Sequence, residues 1–114
     1  MRRGEIWEAD LYLRSGSEQR GRRPVIIVSN DGFNSVASWQ SIIVVPFSTS
    51  EKQRTRGPTA VPLKKGVAGL RKSSVALCHQ LMTIDRSKLL VRWGALSLAD
   101  LGAIEAGVLA AIDL

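Results

Sequence analysis

Residues that can do chemistry gather in one short stretch, "GSEQRGRRPVIIVSN", residues 16 to 30. Arg20, Arg22 and Arg23 lie within four positions beside Ser17, Glu18 and Gln19, with Gly16 and Gly21 bracketing the group. Arginine presents a planar fork of donors that fits a phosphate bidentately. Arg23 stands directly before Pro24 and an apolar run, so it is better fixed than Arg20 or Arg22. A fixed cation is what a developing phosphorane charge requires. For Arg20 and Arg22 taken singly, a solvated charged loop accounts for the pattern. Glu18 can serve as a general base or as an ion-pair partner holding the arginines, and the pattern alone favours the second role.

Three further groups carry reactive side chains. Ser48 and Thr49 follow "IIVVPF", where a hydroxyl can bond a phosphate oxygen or cap a turn. His79, the one histidine, stands in "SSVALCHQ" beside Gln80. Histidine titrates near neutrality and serves as acid or base, although a lone histidine is more often structural. Trp39 and Trp93 can offer stacking faces to bases or pack internally, and Trp7 reads as core. No G-x-S-x-G elbow or P-loop is present, so serine-hydrolase and nucleotide-binding readings lack a motif.

The chain has 114 residues, one domain's length. With 45% hydrophobic and 23% charged residues it has a globular composition rather than a disordered one. The single cysteine, Cys78, rules out an internal disulfide and suits a reducing compartment. One Cys and one His cannot furnish a usual zinc ligand set within one chain, so no metal or other cofactor is expected. No stretch behind Arg2 and Arg3 reads as a signal peptide, and no run approaches the roughly 18 apolar residues of a membrane span. A cytoplasmic protein is expected. Sixteen Lys and Arg against ten Asp and Glu leave +6, which favours a polyanionic partner.

These residues need elements to hold them. "EIWEADLYL" alternates as a strand. "PVIIVSN" reads as a buried central strand headed by Pro24. "DGFNSVASWQ" reads as a turn with room for one helical turn, and "SIIVVPF" as a third strand stopped or bent at Pro46. "STSEKQRTRGPT", with Lys52, Arg54 and Arg56, reads as a second basic loop. "AVPL" reads as an edge strand, "KKGVAGLRK" as a basic turn and "SSVALCHQLMTI" as one long strand. "DRSKLLVRWGAL" begins as a turn and returns as a strand or a helical turn. From Ser97, a plausible N-cap with Asp100 three residues on, Leu98, Leu101, Ile104, Val108 and Ile112 recur at helical steps. Gly102 and Gly107 weaken that helix by about 1 kcal/mol each. Short strands followed by one helix point to a mainly β protein, a small antiparallel barrel or sheet with a helix against it.

"RGEIWEADL", "GSEQRGRRPVIIVSND-x-FN", "IIVVPFSTS", "SSVALCHQLMTID" and the terminal helix, in this order and spacing, resemble the MazF/PemK toxins of bacterial toxin–antitoxin pairs. The resemblance covers essentially the whole chain, residues 1 to 114, as one domain. It implies an SH3-like, CcdB/PemK-type antiparallel barrel with a C-terminal helix, forming a homodimer. It implies a metal-independent endoribonuclease that cuts single-stranded RNA, chiefly mRNA, at short motifs. The partner it implies is an acidic antitoxin whose disordered segment occupies the RNA groove, with DNA reached only through that antitoxin. The chemistry is attack of the ribose 2′-hydroxyl on phosphorus, giving a cyclic phosphate and a 5′-hydroxyl.

Residue by residue, the resemblance makes Arg23 the transition-state stabiliser and acid, Glu18 a base or positioning group, and Ser48 the hydroxyl where threonine is common. Ser17, Gln19, Arg20, Arg22, Asn34, Thr49 and Gln80 become expected RNA contacts. The family's Cys-Asp-Gln stretch is here Cys78, His79 and Gln80. Its arginine two positions before that aspartate is Leu77, and the arginine of its Q-x-R-T-I-D stretch is Met82. The aspartate–arginine version of the mechanism therefore cannot run unchanged. Arg23 and Ser48 are the expected core pair and His79 a secondary candidate. The alternatives are a gyrase poison like the related CcdB toxins, which share the barrel without catalysis, or an RNA-binding homologue lacking nuclease activity.

Overall fold

The computed structural model describes residues 1–11, 21–50, 52 and 57–114. The elements run β1 (Glu5–Asp10), β2 (Arg22–Ile27), α1 (Asp31–Asn34), β3 (Ser41–Ser48), β4 (Ala60–Leu63), β5 (Ser74–Leu77), β6 (Met82–Asp85), β7 (Leu89–Ala95) and α2 (Leu98–Ala111). Among the described residues, 3-10 turns intervene at Val67–Gly69, Cys78–Gln80 and Arg86–Lys88. The strands pair antiparallel in the order β4-β5-β3-β2-β1-β7, with β6 also on β3. The protein is thus mainly β with a C-terminal helix.

β3 explains the architecture. Ser41–Val44 pair with β6, while Phe47 and Ser48 pair with β5. Pro46 does not stop the strand, as its sequence suggests; it falls between the two partners. A residue without an N–H costs least where one neighbour has ended and the next has not begun. The same switch breaks the expected long strand from Ser73 to Ile84. Its halves serve different parts of β3, and the 3-10 turn at Cys78–Gln80 joins them. Pro24, expected at the head of its strand, is instead the third residue of β2. It lies opposite Glu8 of β1, while pairing to β3 starts one residue later at Val25.

The run "PVII" does not alternate because both faces of the sheet are covered there; in "SIIVV" Ile43 stays 37% exposed between buried Ile42 and Val44. Ile6, Ile26, Val45 and Phe47 point to one cluster, which Ile104 of α2 completes. Ala9, Val25, Ile27, Ile42 and Val44 point to the other, with Ile84 and Leu89. Burying each such side chain contributes about 1.5–3 kcal/mol.

α2 starts as the sequence suggests: the Ser97 hydroxyl accepts from the Asp100 N–H at 3.1 Å. Its apolar stripe is only partly inward. Ile104 is fully buried, whereas Leu98 is 88% exposed and Ile112 50%. Gly107 has a packing reason: a Cβ there would lie 2.6 Å from the Cys78 Sγ. The Cys78 thiol donates to the Ile104 carbonyl at 3.7 Å, and burial pushes its pKa up to about 11. Cys78 is therefore a packing residue rather than a nucleophile. No helix among the described residues is long and apolar enough to cross a membrane.

A cationic groove at the mouth of β2 and β3

β2 and β3 bring the two central candidates together. Their register pairs Val25 with Pro46. Continued by two residues, it sets Arg23 opposite Ser48 on one face of the sheet. Both line a cavity of about 210 Å³ with Pro24, Phe47, Thr49, Ser50 and Ser74. The Ser48 Oγ accepts from the Ser50 N–H at 3.1 Å, which leaves the hydroxyl hydrogen for a second partner.

A second cavity of about 220 Å³ shares Arg23, Pro24, Thr49 and Ser74 with the first and adds Glu8, Arg22, Leu70, Arg71, Lys72 and Trp93. The two form one groove that, among the described residues, carries four cations, Arg22, Arg23, Arg71 and Lys72, against one carboxylate, Glu8. Ser74 holds the basic turn in place, its hydroxyl donating to the Lys72 carbonyl at 2.8 Å. Among the described residues, the ion pairs Arg3 with Glu105 and Arg92 with Glu5 involve none of the residues that line the groove.

Thr49 and Arg22 line the groove as expected. Ser17, Glu18, Gln19 and Arg20 lie outside the described residues, as do Arg54 and Arg56. Asn34 is not at the surface. It is 2% exposed; its Nδ2 donates to the Ser29 carbonyl at 2.8 Å and to Asp31 Oδ1 at 3.0 Å, and its Oδ1 accepts from the Ser29 hydroxyl at 2.6 Å. Those bonds use its amide to build the α1 turn. His79 and Gln80 sit on the 3-10 turn after β5, at the end away from Ser74, and line neither cavity of the groove. Trp39 stacks on Phe33, with ring centroids 4.9 Å apart. Sequence reading missed Glu8, Arg71, Lys72 and Ser74. The basic turn at 64–72 was its one signal, and nothing local connects that turn to Arg23. Among the described residues no group of three or more His, Cys, Asp and Glu is placed to hold a metal ion.

A seven-stranded antiparallel sheet with a C-terminal helix and a cationic groove at a strand mouth defines a small, mainly β protein suited to a polyanion. The family pattern described as "PemK-like, MazF-like toxin of type II toxin-antitoxin system" matches residues 2–112. The chain is 38% identical over 89 residues to "Endoribonuclease MazF" of Staphylococcus saprophyticus, covering 78% of this chain and 72% of that one. Among solved structures it resembles "Mycobacterium tuberculosis toxin MazF-mt6", with TM-score 0.76, 27% identity and 96% and 97% of the two chains covered. It also shares the fold of an "Endoribonuclease in complex with its cognate antitoxin from Mycobacterial species", with TM-score 0.78, 21% identity and 98% and 94% covered. The chain belongs to the PemK/MazF family of type II toxins.

Proposed function

We propose that the chain is an endoribonuclease toxin that cuts single-stranded RNA at the Arg23–Ser48 mouth. The observation that carries this reading is the pair itself, a guanidinium and a hydroxyl facing one groove from paired strands. The ribose 2′-oxygen attacks phosphorus as a base takes its proton, the role assigned to Glu18. The bond from phosphorus to the 5′-oxygen breaks. Arg23 stabilises the pentavalent charge and donates to the leaving oxygen, while the Ser48 hydroxyl bonds a phosphoryl oxygen. The products are a cyclic phosphate and a 5′-hydroxyl. Thr49, Arg22 and Lys72 follow the RNA backbone. Asn34 has no part in this surface, since its amide is committed to the interior, and His79 and Gln80 are not needed for the central step.

The reaction uses a nucleophile that the substrate supplies, which gives a direct test. Cleavage of a single-stranded RNA is expected to continue in EDTA and to vanish when the sugar at the cut position is 2′-deoxy. Cleavage of the deoxy substrate, or its loss in EDTA with intact RNA, would sink the mechanism. Purified protein that leaves RNA whole would favour the gyrase-poison or nuclease-dead reading.

The partner is an acidic antitoxin segment lying along the same cations, a reading supported by the antitoxin complex among the structural relatives. Any DNA contact is made through that antitoxin, and the toxin works in the cytoplasm. The working unit is a homodimer. Its support is an apolar groove of about 510 Å³ lined by Val28, Ile43, Leu81, Val108 and Leu109, with Arg3 and Glu105 at hand. Leu109→Asp is expected to convert a dimer to a monomer in light scattering at micromolar concentration; an unchanged mass would put the interface elsewhere.

A further inference from the structure

The groove continues past the Arg23–Ser48 mouth over a floor that the cleavage chemistry does not use. There the Arg71 guanidinium lies 4.4 Å from the centre of the Trp93 ring. Arg71 is exposed. Nucleobases stack on arginine planes as they do on aromatic rings.

This pair is held in place by its backbone. The turn Val67–Gly69, just before Arg71, lies against β7 so closely that two positions admit only glycine. A Cβ on Gly69, whose φ is +83°, would lie 2.5 Å from the Trp93 carbonyl oxygen, and one on Gly94 would lie 2.6 Å from that of Ala68. Ala68 itself adopts a left-handed φ of 49° to complete the approach. The Trp93 indole N–H is buried with no hydrogen-bond partner among the described residues. An orphaned donor costs about 1–3 kcal/mol. What tryptophan adds is the π face beneath Arg71.

Glu8 lines the same cavity and has no ion-pair or hydrogen-bond partner among the described residues. A carboxylate among Arg22, Arg71 and Lys72 weakens any phosphate site. It can, however, accept hydrogen bonds from the amino group on the pairing edge of cytosine, adenine or guanine. Uracil has no such amino group; its one pairing-edge donor, N3–H, stands between two carbonyl oxygens that repel a carboxylate.

We propose that Arg71, Trp93 and Glu8 form a base-binding subsite for a nucleotide flanking the cut, selecting an amino-bearing base over uracil. The proposal rests on the endoribonuclease reading for its place along the RNA. An acidic protein segment fits the cavity less well, because Glu8 would face its carboxylates.

The test is binding of fluorescein-labelled 2′-O-methyl oligocytidine and oligouridine octamers, which cannot be cut, at one fixed salt concentration. The wild type is expected to bind the cytidine octamer at least about fivefold more tightly. Glu8→Ala should tighten both octamers and bring their ratio to within about twofold, as base readout is lost and a repulsive charge removed. Arg71→Lys keeps the charge but loses the stacking plane, and should weaken both by about tenfold. The subsite is overturned if the wild type does not discriminate, if Glu8→Ala tightens both octamers with an unchanged ratio, or if Arg71→Lys binds like the wild type. Displacement of either octamer by an acidic Glu-Leu peptide, without base discrimination, would assign the surface to a protein partner instead. Cleavage of a long RNA is scored separately. No cleavage with discrimination intact removes the nuclease reading and keeps the subsite; cleavage with equal octamer affinities does the reverse.

Discussion

Replacing Arg23 with alanine is expected to lower kcat/KM for RNA cleavage by about 10²–10³-fold, the usual effect of removing one donor aimed at transition-state charge. Arg20→Ala and Arg22→Ala should each cost about tenfold or less, because a backbone-following charge contributes to binding in ground and transition state alike. Arg23→Lys should not restore the rate. Lysine keeps the charge but loses the fork that holds two phosphoryl oxygens from one fixed plane. Single-turnover cleavage at saturating enzyme separates these outcomes, since the Arg23 defect should remain when binding is complete. Equal defects in Arg22→Ala and Arg23→Ala would mean that the loop works as a diffuse cationic surface.

The entry of Arg23 into the sheet was legible in the sequence. An arginine immediately before a proline and a β-branched run must enter the sheet with the strand, and β2 does begin at Arg22. Ser48 was legible for the same reason, at the end of the neighbouring apolar run. The rest of the groove was not. Glu8, Arg71 and Trp93 lie on β1, on the segment after a 3-10 turn and on β7, and only tertiary pairing joins them. The close approach of Gly69 and Gly94 to facing carbonyls has no local signature either. The segment from Ser73 to Ile84 shows the limit from the other side. Its β-branched and apolar pattern suits a continuous strand, and the break at Cys78–Gln80 comes from β3, which changes partner at Pro46. Asn34 read as a surface amide because its three partners, Ser29, Asp31 and the Ser29 carbonyl, form only once the turn has closed.

Arg86 is the functional arginine's structural counterpart, and no motif in the chain marks it. Its Nε donates to the Trp39 carbonyl at 2.8 Å, and its Nη2 lies 2.9 Å from the Asn34 carbonyl, 3.0 Å from that of Val36 and 3.4 Å from that of Phe33. One guanidinium thus satisfies four carbonyls of the connection between β2 and β3. Phe33 and Asn34 end the short helix α1, and Val36 and Trp39 follow it. The Phe33 and Val36 carbonyls also accept from the Val36 and Trp39 N–H groups, so an alanine at 86 would leave chiefly the Asn34 and Trp39 carbonyls to water or unsatisfied. The expected cost of Arg86→Ala is about 3 kcal/mol, from hydrogen bonds to a charged donor. For a domain of this size that lowers Tm by roughly 10 °C. Arg86→Lys should recover less than half, because a single ammonium cannot span carbonyls from Phe33 to Trp39. Thermal unfolding of the three proteins measures this directly. Cleavage at 25 °C by the fraction still folded should match the wild type, since Arg86 lines neither cavity of the groove. A large rate defect in folded Arg86→Ala protein, with Tm unchanged, would mean that the connection between β2 and β3 bears on the RNA and that Arg86 acts through it.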